Sequence, residues 1–227
     1  MDDKNERLTE IFSEVGKKHG YKEVEASYTA FRDMKVKWCR SYNWIRFDVS
    51  DYLMDAPDDV TASIADTIFS RIKGEESTQY SEDVAEWVSS GDFVREKQPT
   101  YVNRCRGLTL SPKGDHRDLA ESYDRLVGRG LLDRDPDVYL GWGPAGTGRH
   151  SGFSSVLMKV VNMSSILDDE SVPEEVLDYC LYAQLAHITM GFDPFTTRRG
   201  EEYEELLAKY PEREEAELLM KQHNIKL

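Results

Sequence analysis

Cysteine is scarce in this sequence. Cys39, Cys105 and Cys180 are odd in number and far apart, so neither a disulfide framework nor a zinc ribbon is implied. No run approaches the roughly 20 apolar residues needed to cross a bilayer, which argues against a membrane partner. The charged opening from Met1 to Arg7 does not suit a secretory signal. The expected location is a reducing cytoplasm. Positive charge is also short: 29 Lys and Arg stand against 43 Asp and Glu, a formal net charge of -14. Such a surface repels phosphate backbones and disfavours nucleic acid, and the pair Arg198-Arg199 is too small to reverse that balance. No internal repeat or low-complexity tract is visible.

At 227 residues the chain can bury a full core. Leu8 to Gly20 reads as an amphipathic helix. Val24–Tyr28, Val36–Cys39 and Trp44–Val49 read as three short strands, which suggests an antiparallel meander. Asp55-Ala56-Pro57-Asp58-Asp59 then opens a helix that runs to about Lys73, closed by Gly74. Ser81–Val88 and Asp115–Val127 read as helices, and Gln98–Lys113 as a loop or irregular strand. Asp137–Trp142 and Phe153–Asn162 are β-prone around a glycine-rich connection. Ser171-Val172-Pro173-Glu174 has capping-box spacing and starts a helix that runs to about Met190, before Gly191. Helices near Glu201–Lys209 and Glu212–Gln222 finish the chain. The expected organisation is one domain over 1–227, with 75–136 as a helical insertion.

The most informative stretch is Leu177 to His187. A zinc-protease helix carries His-Glu-x-x-His, with two ligands on one helical face and a glutamate that activates water. Here that frame falls on Ala183, Gln184, Leu185, Ala186 and His187. Alanine cannot ligate zinc, and a glutamine amide cannot accept a proton near neutral pH.

Together with Ile45–Val60, Ile166–Tyr179, and Arg198–Tyr203 with Tyr210-Pro211, this helix resembles the SprT-like zincin metallopeptidases. The first segment is similar to the family's strand and lead into a core helix, the second to its approach to the metal helix. The third lies where the family places a third histidine and a later aromatic residue. The resemblance implies an α+β, zincin-like fold: a small antiparallel or mixed sheet packed against several helices, one of them a buried former metal-binding helix. It also implies that the third ligand position falls near Arg199, whose permanent positive charge repels Zn²⁺. The expected function is therefore that of a catalytically inactive homologue, a pseudoenzyme that binds a protein or peptide along a cleft-edge strand and needs no cofactor. The alternative is a metal-dependent hydrolase with zinc at an atypical site around His187, drawing ligands from His150, Asp193 or Glu202.

Five plainer readings compete. His187 on an apolar helix is read as a buried histidine bonded to a neighbour. Gln184 and Arg199 could together receive a carboxylate or phosphate, but Arg199 is expected to pair with Glu201, Glu202 or Glu205 instead. Gly143 to His150 imitates a phosphate loop, yet Arg149 and His150 replace its lysine and hydroxyl residue, and a strand follows where a helix is required. Trp38, Tyr42, Trp44 and Phe47 are expected to be core and cross-strand residues rather than a base-stacking platform. The charge run Glu201–Glu217 is read as a solvated helix face.

Overall fold

The computed structural model describes residues 2–75, 79–146 and 148–227. The chain is α+β and forms two compact units, Met1–Phe93 and Val94–Leu227. In the first, α1 (Asp2–Lys18) precedes β1 (Glu23–Thr29), β2 (Val36–Arg40) and β3 (Trp44–Ser50). A 3-10 turn over Asp51–Leu53 then leads into α2 (Asp58–Lys73) and α3 (Glu82–Ser89). The division falls within α4 (Gly91–Arg104). The second unit contains α5 (Leu119–Gly128), β4 (Tyr139–Gly143), β5 (Gly152–Ser155) and β6 (Val160–Ser164). A 3-10 turn over Ser165–Asp168 follows, then α6 (Glu174–Met190), α7 (Arg199–Leu207) and α8 (Arg213–Gln222).

The three strands of the first unit do not form a meander. Their order is β1-β3-β2, with β1 parallel and β2 antiparallel to β3. Alternation in β3 decides the faces: Ile45, Phe47 and Val49 are buried, and Trp44, Arg46 and Asp48 are exposed. Phe47 meets Phe12 of α1 and Phe69 of α2 at ring-centroid distances of 4.9 and 5.1 Å, so the two helices cover one face of the sheet.

Although no repeat is visible in the sequence, the second unit follows the same plan. Its sheet order is β4-β6-β5, again with the outer strands parallel and antiparallel to the central one. In both units a helix precedes the strands, and a 3-10 turn and a long helix follow. The joints agree in detail. Ser50 and Ser164 each precede the turn, and Pro57 and Pro173 each sit before a long helix at ψ near 150° (151° and 145°). Asp58-Asp59-Val60 matches Glu174-Glu175-Val176, and left-handed Gly74 matches Gly191, also at positive φ. The repeat is one of backbone arrangement; different apolar residues fill the two cores, which hides it from residue-by-residue comparison.

Three local expectations fail for physical reasons. Residues 98–104 belong to α4 despite Pro99. Phe93, Val94, Tyr101, Val102 and Cys105 bury one helical stripe, which outweighs the roughly 3 kcal/mol cost of an interior proline. Phe153–Asn162 is two strands, because Lys159 adopts φ 48° and reverses the chain before β6. Ser171 does not cap α6: Pro173 holds that position, and the Asp169 carboxylate instead accepts the Ser171 amide at 2.8 Å.

Candidate functional site

Helix α6 is the central element of the second unit, with twelve of its seventeen residues buried. Its first turns are fixed by polar contacts. Buried Asp178 accepts the Ser122 hydroxyl at 2.5 Å and the Arg125 guanidinium at 2.9 and 2.7 Å. Tyr179 donates to Glu217 at 2.8 Å, and Tyr182 donates to the Leu206 carbonyl at 2.6 Å. Burial pushes the Cys180 thiol up to about 12, which keeps it protonated and unreactive.

The degenerate motif lies on the following turns. Ala183 is fully buried in the apolar cluster, Gln184 is buried, and His187 is half-buried. The His187 imidazole stacks on Tyr203 of α7 at 4.1 Å between ring centroids and 7° between planes. Burial, and to a lesser degree the nearby Arg199 charge, lower its pKa from 6.5. The imidazole is thus held neutral by its surroundings. Because the folded pKa lies below the unfolded one, the neutral ring's contribution to stability is present above pH 6.5 and is lost as pH falls through the folded value. Thermal melting of the wild type should therefore decline on acidification more than that of His187→Phe, which keeps the stack and cannot charge. Parallel pH profiles for the two proteins would refute this.

Arg199 is not paired as expected. Arg198 takes Glu201 at 2.6 Å and Glu205 at 3.4 Å. Arg199 donates to the Gly191 carbonyl at 2.8 Å, at the C-terminal end of α6, where a cation complements the helix dipole. Arg199 and Tyr203 are four residues apart and share one face of α7. That spacing was the signal in the sequence for Tyr203, which residue-by-residue reasoning missed.

The other candidates are engaged elsewhere. His150 Nδ1 lies 3.2 Å from the Leu227 main-chain oxygen, and Glu202 accepts the Thr196 hydroxyl at 3.0 Å. Asp193 accepts the amides of Phe195 and Thr196 at 2.7 and 3.3 Å. Among the described residues no group of three or more His, Cys, Asp and Glu side chains is placed to hold a metal ion. His187, His150 and Glu202 are therefore not brought together. The phosphate-loop imitation is likewise structural. Arg149 donates to the carbonyls of Asn224 and His223 at 3.1 and 3.0 Å, and β5 follows; Thr147 lies outside the described residues. Asp168 sits in the 3-10 turn and accepts the amides of Asp115, His116 and Arg117 at 2.6, 3.1 and 2.8 Å.

The repeat supplies an internal comparison. With Pro57 set against Pro173, positions 183, 184 and 187 correspond to Thr67, Ile68 and Arg71 of α2. Arg71 lies over the Tyr80 ring at 4.4 Å, much as His187 lies over Tyr203. Neither long helix carries a pair of metal ligands in this frame.

Of the four aromatics expected to be core and cross-strand residues, Phe47 is fully buried and stands opposite Trp38 in the β2–β3 register, while Trp38, Tyr42 and Trp44 are 48%, 94% and 41% exposed. None of the described helices is long and apolar enough to cross a membrane. The chain matches no family model, no curated protein and no solved structure.

Proposed function

We propose that the chain is a catalytically inactive, zincin-like binding module that engages a protein or peptide, with the resemblance to SprT-like metallopeptidases reflecting scaffold rather than chemistry. One observation carries the reading. The helix with the motif frame is buried at the centre of its unit, and the frame presents an alanine, a glutamine and a histidine stacked on tyrosine beside an arginine. A catalytic zinc takes three protein ligands and a water. This face offers one candidate donor nitrogen and a neighbouring positive charge.

The test is metal content together with hydrolysis. Protein purified without chelator, and its His187→Ala variant, are measured for zinc, manganese and iron by mass spectrometry and assayed on unfolded casein. Equal sub-stoichiometric metal and no cleavage in both are expected. Stoichiometric metal lost on His187→Ala, with cleavage lost alongside, would establish a metal-dependent hydrolase built around His187 instead.

A further inference from the structure

The first sheet ends in an open edge. Among the described residues β2 pairs only with β3, and Lys37 to Arg40 are all exposed. The hydrogen-bond phase fixes which groups face outward. The Ser50 amide donates to the Lys35 carbonyl, and the Ser41 amide to the Trp44 carbonyl, so residues 35 and 41 bond toward β3. Antiparallel pairs alternate, so Lys37 and Cys39 do the same. The N–H and C=O groups of Val36, Trp38 and Arg40 are left pointing away from the sheet, a ladder suited to one more strand.

The charge along this edge is opposite to that of the chain. Phe31 to Arg46 holds five basic residues and one acidic residue, in a protein of net charge -14. Arg32 and Arg46 are paired with Asp33 and Glu25. Lys35 and Lys37 lie over the Phe31 ring at 5.0 and 5.2 Å, and Arg40 donates to the neutral Tyr21 hydroxyl at 3.1 Å. These three cations have no carboxylate partner among the described residues. At the hairpin end, Arg40 and Lys73 line a cleft of about 520 Å³ with Tyr21 and Tyr42; the His19 in its wall is already bound to Asp66.

The second unit shows the corresponding edge in use. Just ahead of β5, the equivalent of β2, His150 forms a parallel bridge with Lys226. Lys226 donates to the Arg149 carbonyl and accepts the Ser151 amide. Among the described residues of the first unit, no segment pairs with the corresponding edge.

We infer that β2 is a docking edge for an extended acidic peptide, which adds as a strand along Val36, Trp38 and Arg40, sets carboxylates against Lys35 and Lys37, and places one in the Arg40–Lys73 cleft. A peptide suits the site better than a nucleic acid. The alternating donors and acceptors of Val36, Trp38 and Arg40 match the amide spacing of a polypeptide backbone, which a sugar-phosphate chain does not carry. The inference deepens the binding-module reading and rests on it only in choosing a peptide as ligand. Its readout lies in β2, and the metal assay reads α6, so either can fail without the other.

The probe is a fluorescein-labelled Glu-Val repeat of about ten residues, long enough to pair along the edge. Fluorescence anisotropy should show binding that weakens with salt, with a Lys-Val repeat failing to bind. Lys37→Glu and Val36→Pro should each weaken binding by about tenfold or more, the first by reversing charge and the second by deleting an outward donor. Both changes lie on an exposed edge, and circular dichroism checks the fold. Should Val36→Pro unfold the unit, amide exchange in the wild type replaces it: peptide must slow exchange at Val36, Trp38 and Arg40. No binding of the Glu-Val repeat, full affinity in a folded variant, unchanged exchange at those amides, or oligothymidine bound in place of the peptide would each overturn the assignment.

Discussion

Replacing Phe47 with alanine is expected to destabilise the first unit by about 4 kcal/mol, within the usual range for removing a fully buried phenyl ring. Phe47 has no exposure and sits between Phe12 and Phe69, which themselves lie 6.5 Å apart. It therefore joins the central strand to both covering helices. The cavity left behind cannot collapse cheaply, because the parallel pairing with β1 and the antiparallel pairing with β2 hold β3 on both sides. Denaturant unfolding measures the loss, and amide exchange should place it within residues 2–75. A cost below about 1 kcal/mol would mean that Phe47 is not the centre of that core. Trp44→Ala, on the opposite and exposed face of the same strand, should cost far less.

Asp178→Ala should be nearly as damaging in the second unit, by about 3 kcal/mol. The carboxylate is buried on α6 and accepts three bonds from α5: one from Ser122 and two from Arg125. Its removal leaves a buried hydroxyl and a guanidinium without their acceptor, and breaking a buried pair costs roughly 3–5 kcal/mol. The lower end applies because the Arg125 side chain is one-third exposed and also reaches Glu174 at 3.3 Å. A double-mutant cycle with Arg125→Ala checks the cause. If the two substitutions are additive, the pair is not coupled and the account fails. Asp178→Asn, which keeps an acceptor oxygen, should recover part of the stability.

Much of the element pattern was legible. The helices α2 and α6 were legible from their acidic first turns and from Gly74 and Gly191 closing them, but the capping-box spacing placed the start of α6 at Ser171, two residues ahead of the Pro173 cap. Strand faces were legible in β3, where alternation separates Phe47 from Arg46. Strand partners were not. Nothing in Val24–Tyr28 states that it lies parallel to Trp44–Ser50, because that pairing depends on a crossover whose ends meet only in three dimensions. Trp38, Tyr42 and Trp44 stay out of the core for reasons of place: Trp38 pairs with Phe47 but lies on the edge strand, Tyr42 sits between β2 and β3, and Trp44 is on the exposed face of β3. Aromatic content suggests burial, but only the sheet order shows that β2 has no neighbour on its far side among the described residues.

The site was legible as chemistry and not as geometry. Side-chain identity alone established that Ala183 cannot bind a metal, that Gln184 cannot act as a base, and that Arg199 brings positive charge; these are properties of single residues wherever they are placed. The fold decided that His187 stacks on Tyr203, that Arg199 turns to the end of α6, and that His150 and Glu202 are engaged elsewhere. It also decided that two dissimilar stretches of sequence share one arrangement, because packing constrains backbone topology more tightly than it constrains which apolar residue fills a given position.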